Sequence, residues 1–472
     1  MAPRSFEYVS PNADARESCE PASPEDAFER AAASHEYIER NIEHAHALAA
    51  RLNAALDAVL HENAVRGDRD AEMFHAAEEQ LATGRIARRQ ARFPRGRNHS
   101  VEPCIVEQHG HEPIYAFKKS LVGGFEVFLH GERIFVVNRT LRNGESRASL
   151  APASTDLLES CDLTPDAIRR AMSLDAQRRP LLGARYDINA NRLPHRTNPL
   201  GTRPVDNVHE LASARSVAAL SHALRLYAAP PTQLRGDDPN GPLVLQCGVR
   251  FSTDGHDTRD GLPHTNERLK RLVHNGERDE QAPGFANVAL LQFLANETDG
   301  GRLNLLDGGT RPWSIDNGCA FQHTIRRPGA SAPYAEAFRP AWPYRSFAWN
   351  LTNRLKLPIP DETLDRLNGA LQRIAAFVAE QRDPMDTEKE PPAIITCLNA
   401  ITRLAYERVD ERGRVIKETT KIAEAEFALL IAKLEYVVTH RRLPNFQLPT
   451  DLEQHRILAD LIPANADDED PI

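Results

Sequence analysis

The sequence lacks the short motifs that mark several common classes of enzyme and metal site. Its six cysteines form no Cys-x-x-Cys pair, which argues against both a zinc site and a redox dithiol. The absence of His-Glu-x-x-His and of Gly-x-Ser-x-Gly likewise argues against a zinc protease and an α/β-hydrolase. Unpaired cysteines within apolar runs are typical of buried free thiols, so we expect a reducing, cytoplasmic environment.

Long apolar runs and dominant basic blocks are also missing. No run approaches the ~18 apolar residues that cross a bilayer, so no transmembrane segment is predicted. The formal net charge of -9 makes a nucleic-acid partner unexpected, and we interpret the basic stretch at residues 85–97 as a solvated helix end and linker. The polar N-terminus has no secretory h-region. It is either a disordered tail or the uncleaved export signal of a bacterial effector that acts in a host cytosol.

With 472 residues, 41% of them apolar, the chain is long enough for several domains. Helical periodicity surrounds a central region of short apolar runs and turns, which predicts an α+β protein. The expected order is a disordered tail, a helical hairpin, a β-rich lobe with an insertion, a catalytic lobe, a helical bundle and an acidic tail. The corresponding ranges are 1–22, 23–95, 96–250, 251–357, 358–462 and 463–472.

Apolar spacing and capping signals predict the individual elements. A first helix begins at Ser23 and ends before Gly67, and a second covers residues 69–92. These two helices form a hairpin that either packs on the core or serves as a partner-binding arm. Two β-hairpins are expected, with strands at 104–107 and 114–117, then at 125–128 and 134–137. Later elements are a strand at 243–245 and helices at 210–226, 287–295, 361–381, 393–409, 422–440 and 452–461.

One acidic and amide-bearing segment carries residues that suit phosphoryl transfer. Asp299 is followed five residues later by Asn304, and Asp316 returns after a strand-like stretch. Phosphoryl transfer needs a carboxylate beside the attacking hydroxyl and oxygen ligands that hold Mg²⁺ between the phosphates. The spacing lets Asp299 and Asn304 share one loop while Asp316 lies on the neighbouring strand. Gly318 then permits a tight turn beside the metal.

This segment resembles the catalytic and metal-binding loops of the atypical kinases related to type II phosphatidylinositol 4-kinases, the four-jointed and secretory-pathway casein kinases and the HipA-like bacterial kinases. Those families show Asn-Thr-Asp-Arg-x-x-x-Asn, then Ile-Asp-Asn-Gly-x-Ala-Phe. The chain reads Glu-Thr-Asp-Gly-Gly-Arg-Leu-Asn over residues 297–304 and Ile-Asp-Asn-Gly-Cys-Ala-Phe over residues 315–321. The second match is nearly complete. Glu297 and Gly300 depart from the first, and Arg302 is a candidate to replace the missing arginine.

Upstream residues extend the resemblance in the expected order. The Ala-Phe-Lys at residues 116–118 is similar to the strand whose lysine holds the α- and β-phosphates. Lys118 is therefore the implied phosphate ligand, and it is implied to pair with Glu210 in the following helix. Lys119 is the alternative, because the long separation from Glu210 requires either an insertion or a different lysine. The glycine loop over the phosphates is formed either by residues 95–100 or by a flap at residues 122–125.

The strand at residues 243–249 resembles the hinge strand that contacts adenine, which implies nucleotide binding near Gln246 and Cys247. The resemblance covers residues 100–357, about half of the chain. It implies a bilobal atypical protein-kinase-like core that uses ATP and Mg²⁺ or Mn²⁺. We expect a protein Ser/Thr kinase in which Asp299 orients or deprotonates the acceptor hydroxyl, while Asn304 and Asp316 hold the metal.

Two groups of alternatives stay open at this point. The same fold admits a phosphoinositide acceptor or the transfer of AMP, although the negative charge disfavours an anionic bilayer. A catalytically dead scaffold is the other alternative, which the departures at Glu297 and Gly300 favour. The retention of Asp299, Asn304 and Asp316 favours an active enzyme, because unpaired carboxylates in a cleft repel one another.

Overall fold

The computed structural model divides into two compact units, each assembled from separate stretches of the chain. The insert unit comprises Met1–His35, Gly123–Arg139 and Gly144–Val205, and the main unit comprises Glu36–Val122, Thr140–Asn143 and Asp206–Ile472. The structure describes residues 24–88, 101–120, 122–129, 132–140, 146–150, 200–206, 208–236, 243–248, 282–297, 300, 304–307, 311–321, 346, 348–349, 352, 357–380, 390–410 and 412–444.

Helix and antiparallel sheet are mixed along the chain, so the mixture predicted from the sequence is confirmed. The α-helices of the described residues are α1 Pro24–Val65, α2 Arg69–Thr83, α3 Val208–Ala223, α4 Ala282–Leu294, α5 Asp361–Glu380, α6 Ala393–Tyr406 and α7 Lys417–His440. The strands are β1 Arg85–Arg88, β2 Val101–Glu107, β3 Ile114–Ser120, β4 Val122–Leu129, β5 Glu132–Thr140, β6 Ser146–Leu150, β7 Leu200–Asp206, β8 Thr232–Arg235, β9 Leu243–Cys247, β10 Leu305–Asp307 and β11 Pro312–Ser314.

The main unit is built on a five-stranded sheet with the strand order β1-β2-β3-β9-β8, in which all neighbours are antiparallel. The hairpin predicted at residues 104–107 and 114–117 is confirmed as β2 and β3. Two strands of the insert unit, β4 and β5, are neighbours in a second sheet with the order β6-β5-β4-β7. Because this unit interrupts the chain after β3, an insertion accounts for the long separation between the candidate lysines and Glu210.

The helix predicted over residues 69–92 is wrong beyond its first fifteen residues, since α2 ends at Thr83 and β1 follows it. The reason is Gly84, where the chain passes directly against β2. A Cβ at Gly84 would lie 2.5 Å from Val106 Cγ1 and 2.6 Å from the Gln80 carbonyl. The short β1 then completes the edge of the sheet, with Ile86 opposite Val106.

Helix α2, the second helix of the predicted hairpin, packs on the main sheet. Leu81 and Phe74 of α2 are fully buried. Leu81 belongs to an apolar cluster that otherwise comes from the sheet, with members Cys104, Val106, Ala116, Leu243, Leu245 and Cys247. Phe74 packs against Tyr227 and Trp313.

Helix α3 lies against both the sheet and the C-terminal helices, and nearly all of its residues are buried. It packs on α6, which in turn packs on α7. The helices predicted at 361–381, 393–409 and 422–440 are confirmed with shifted ends, while the one at 452–461 lies outside the described residues. None of the described helices combines the length and the apolar character that crossing a bilayer would need.

Candidate functional site

A partly buried lysine lies between two carboxylates where β3, α3 and the turn after β11 meet. Lys119 Nζ is 3.0 Å from Glu210 Oε2 and 3.4 Å from Asp316 Oδ1. The Glu210 side chain is only 5% exposed, whereas that of Asp316 is 61% exposed. The lysine therefore has one partner inside the protein and a second one that is open to solvent.

The two carboxylates decide the charge of this lysine. Burial alone would lower the pKa of Lys119, because desolvation disfavours the ammonium form. The negative charges of Glu210 and Asp316 outweigh burial and raise that pKa above its ordinary value. Lys119 is consequently a cation at neutral pH, which is the state that binds an anionic group such as a phosphate.

The neighbouring Lys118 points to the opposite face of the sheet, because successive strand residues alternate between faces. It stands opposite Leu245 in the β3–β9 ladder, and Ala116 shares its face. Both of those residues belong to the apolar cluster under α2. The implied pairing of Glu210 with Lys118 is therefore corrected to Lys119, the alternative from the sequence.

The turn at Asp316 is made by the left-handed backbone conformation of Asp316 itself and not by Gly318, two residues later. Asp316 adopts φ 55° and ψ 41°, and the short 3-10 helix Asn317–Cys319 follows it. Asp tolerates this left-handed region better than most residues do. Gly318, expected to permit the turn, instead permits close packing, since a Cβ there would lie 3.1 Å from Glu210 Cβ. The turn is thus seated directly on α3.

Asn304 and Asp316 come together at one end of the β10–β11 hairpin. Leu305 stands opposite Ser314, and the Ile315 N–H donates to the Asn304 carbonyl at 2.9 Å. An amide and a carboxylate, the oxygen donors that suit Mg²⁺ or Mn²⁺, are therefore brought to adjacent chain segments as the spacing predicted.

Asp299, the third residue of the predicted set, lies outside the described residues. Within the described part of the chain, no three His, Cys, Asp or Glu side chains group closely enough to hold a metal ion. Asn304 and Asp316 are thus the two predicted metal ligands that the structure places.

A hydrogen-bonded set of buried side chains ties this region to helix α4. Gln292 donates to Ser314 Oγ at 3.1 Å and accepts from Ser346 Oγ, while Ser314 Oγ donates to Asn317 Oδ1 at 2.6 Å. Gly300 packs on the same glutamine, because a Cβ there would lie 2.8 Å from Gln292 Oε1. A side chain at residue 300, where the resembled families have arginine, would therefore have to displace the end of the buried Gln292 side chain.

The strand that the resemblance assigns to adenine, β9, is paired on both sides by β3 and β8. The N–H groups of Cys247 and Gly248 donate to the carbonyls of Pro231 and Tyr115, both at 2.8 Å. The Gln246 side chain donates to a threonine hydroxyl of β8 at 3.4 Å. Neither of the two N–H groups is available to adenine in this arrangement, and the adenine contact implied near Gln246 and Cys247 stays a prediction.

The first turn of α3 is held by the segment that follows α6 and by the segment that follows the Asp316 turn. Arg408 donates to His209 Nδ1 at 3.0 Å, and Ser213 Oγ donates to the Ala320 carbonyl at 3.3 Å. Burial, aided by the Arg408 cation, lowers the pKa of His209 to about 4. The imidazole next to Glu210 is therefore neutral at physiological pH.

An internal ion pair holds the middle of α3 to α2. Arg215 donates to both Glu78 oxygens at 3.0 Å and to the Thr232 carbonyl at 2.7 Å. Glu78 also accepts from Gln233 Nε2 at 2.6 Å and lies 3.1 Å from His222 Nδ1. Burial would raise the pKa of Glu78, but Arg215 and His222 outweigh it and hold that pKa below its ordinary value.

The sequence alone assigns no role to Glu78, Arg215, His209 or Arg408, although the helical spacing of Glu78 indicates its burial. Glu78 lies at helical spacing between Phe74 and Leu81, so it occupies the apolar stripe of α2. A charged residue on such a stripe is buried only when it has a partner. The pattern therefore indicates an internal ion pair but does not identify Arg215 as the partner.

Comparison of the chain with models of known protein families and with curated proteins finds no match. A function therefore has to be argued from the geometry of the site and from the residues that form it.

Proposed function

We propose that the chain is an ATP-dependent phosphotransferase that uses Mg²⁺ or Mn²⁺ and phosphorylates Ser or Thr hydroxyls of proteins. The observation that carries the proposal is the Lys119–Glu210 ion pair beside Asp316. Protein kinases require an ion pair between a strand lysine and a helix glutamate together with a metal-binding aspartate. The chain order of strand, helix and aspartate turn in this protein is the same.

The proposed roles follow from position and exposure. Lys119, in place of Lys118, binds the α- and β-phosphates, while Glu210 holds its ammonium from the inside. Asp316, whose side chain is 61% exposed, supplies oxygen donors for the metal together with Asn304. The bound metal would neutralise charge on the transferring phosphate, which is the main protein-assisted contribution in this reaction class.

The remaining parts of the proposal rest on the resemblance rather than on described geometry. Asp299 orients or deprotonates the acceptor hydroxyl, and the core is a bilobal kinase-like one with adenine held by main-chain groups near Gln246 and Cys247. A cytosolic site of action is supported by Cys104, Cys247 and Cys397, which are buried free thiols.

Gly300 weakens the alternative of a dead scaffold. A site that had lost its function would not need a neighbouring side chain to fill the space left by a missing arginine at residue 300. Here the end of the buried Gln292 side chain lies within 2.9 Å of where a Cβ of residue 300 would be, and it also bonds to Ser314, two residues before Asp316. The departure therefore fits a site that is packed differently rather than one that has lost its function.

The two adjacent lysines provide the test. Lys119→Met removes the proposed phosphate ligand, and Lys118→Met is the matched control on the other face of the same strand. We expect Lys119→Met to reduce transfer from γ-labelled ATP to host-cell protein by about 10²- to 10³-fold, the usual cost of one electrostatic donor. Lys118→Met should retain transfer in any variant that folds, as judged by circular dichroism.

A second variant protects the test against misfolding. Asp316→Asn changes an exposed side chain, so the protein should fold while metal-dependent transfer is lost. Wild-type protein should also be stabilised thermally by ATP with Mg²⁺ or Mn²⁺. The absence of any such shift and of any transfer would contradict the proposal. Label from α- instead of γ-labelled ATP would identify AMP transfer, and label only in phosphoinositide vesicles would identify a lipid acceptor.

A further inference from the structure

The C-terminal end of helix α4 receives a buried cation from helix α7. Lys433 Nζ donates to the Phe293 carbonyl at 2.9 Å, to the Leu294 carbonyl at 3.3 Å and to Asn296 Oδ1 at 2.5 Å. The last carbonyls of a helix have no partner within it, and they carry the negative end of its dipole. An ammonium group at this place satisfies both the hydrogen bonds and the charge.

The surroundings of Lys433 show that this contact is built into the core. The lysine is 1% exposed, and its Nζ lies 5.0 Å from the centre of the Phe293 ring. The Asn296 Nδ2 donates to Glu426 at 3.3 Å, so a buried carboxylate balances the ammonium through the amide. Burial lowers the pKa of Lys433 to about 8, with Glu426 opposing the shift, and the group stays charged at neutral pH.

The same turn connects directly to the candidate site. Asn296 has φ 50°, a left-handed conformation that bends the chain out of α4 toward Gly300. The Ala295 carbonyl accepts from the Phe321 N–H at 2.5 Å, immediately after the turn that begins at Asp316. The chain that follows the Asp316 turn is therefore bonded, through Phe321, to the segment that Lys433 holds.

We infer that Lys433 is a positioning residue for phosphoryl transfer, through which helix α7 fixes the turn at the end of α4 and, through that turn, the Asp316 segment. The inference rests on the proposed function. The hydrogen bonds of Lys433 all go to residues 293–296, and not to the Lys119–Glu210 pair on β3 and α3. Loss of the lysine should therefore affect the rate of transfer more than the binding of ATP.

Lys433→Met tests this, since methionine fills a similar space without the charge or the donors. Lys421→Met is the matched control, because Lys421 is an exposed residue of the same helix. We expect kcat for Lys433→Met to fall by about 10- to 100-fold, the scale of a small misplacement of reacting groups. The KM for ATP should stay unchanged. Lys433→Arg, which keeps a charged donor, should restore part of kcat.

Hydrogen exchange of the nucleotide-free protein provides a readout that needs no activity. Lys433→Met should speed exchange in peptides covering residues 291–305 while β2, β3 and β9 stay protected. An unchanged kcat and unchanged exchange would overturn the inference. So would a parallel loss of ATP binding and of protection throughout the main unit, which marks a purely structural residue. If the wild-type protein transfers no phosphate but Lys433→Met still speeds exchange near residues 291–305, the proposed function fails. Lys433 is then an anchor of the turn without a role in catalysis.

Discussion

Replacing Glu78 by glutamine removes one negative charge from the interior of the main unit and keeps the shape of the side chain. Its partner Arg215 is 1% exposed, and its Nη1 donates to both Glu78 oxygens. The same guanidinium donates to the Thr232 carbonyl at 2.7 Å and to Asn53 Oδ1 at 3.0 and 2.8 Å. In Glu78→Gln the guanidinium keeps these neutral acceptors but loses its counter-charge.

The expected loss follows from that remaining set of contacts. Removing one partner of a buried ion pair costs about 3–5 kcal/mol, because the other charge stays buried and unpaired. Asn53 and Thr232 still accept from Arg215, so we expect the lower end, about 3 kcal/mol of unfolding free energy. Against a typical domain stability of about 5–15 kcal/mol, this is a large fraction.

Urea unfolding followed by circular dichroism measures the effect, and a double-mutant cycle with Arg215→Met apportions it. Because either single change leaves one charge unpaired, the double variant should be less destabilised than the sum of the two. The coupling should be about 1–3 kcal/mol. A loss below about 1 kcal/mol for Glu78→Gln, or strict additivity in the cycle, would refute the reasoning.

The remaining predictions concern acid stability and close packing. His209 has a folded pKa of about 4 against 6.5 for the ordinary group, so the unfolded chain binds more protons between these values and stability falls as pH falls from 6.5 to 4. His209→Asn should remove on the order of 2 kcal/mol of that pH dependence in urea titrations at pH 7 and pH 5, and an unchanged slope would contradict the assignment. Gly300→Ala should cost about 1–3 kcal/mol by displacing Gln292, whereas Gly369→Ala, in α5 with nothing within 4 Å of its Cβ, should be neutral or stabilising. Equal thermal shifts for the two alanine variants would exclude the close contact.

The sequence predicted elements with strong periodicity well and their ends less well. The β2–β3 hairpin and the helices α5, α6 and α7 appear where apolar spacing places them, because that spacing reports which face is buried. The error at β1 has a different origin. Four residues after Gly84 pair with β2, and so short a segment carries too little periodicity to distinguish strand from helix.

The choice between Lys118 and Lys119 could not be made from sequence. Adjacent strand residues point to opposite faces, so a shift of one residue exchanges the site face for the core face. Composition favours neither, since both are lysines and one of them is buried beside an apolar cluster, which propensity does not anticipate. That the segments carrying Asn304 and Asp316 lie side by side was easier to predict, because a short hairpin between them brings its two ends together in any fold.

The anchoring of α3 argues that the Lys119–Glu210 pair forms without an activating step. In protein kinases the position of the equivalent helix controls this pair. Here one side of α3 is bonded to α2 through Arg215 and Glu78, and its first turn is bonded through His209 to Arg408, just after α6. Moving α3 away would separate a buried ion pair at a cost of about 3–5 kcal/mol. A ligand that shifted α3 would have to prefer the displaced state by that amount, a few hundred-fold or more in affinity. We therefore expect any control of the proposed phosphoryl transfer to act on access of the acceptor or on the turn that Lys433 holds, and not on the helix that carries Glu210.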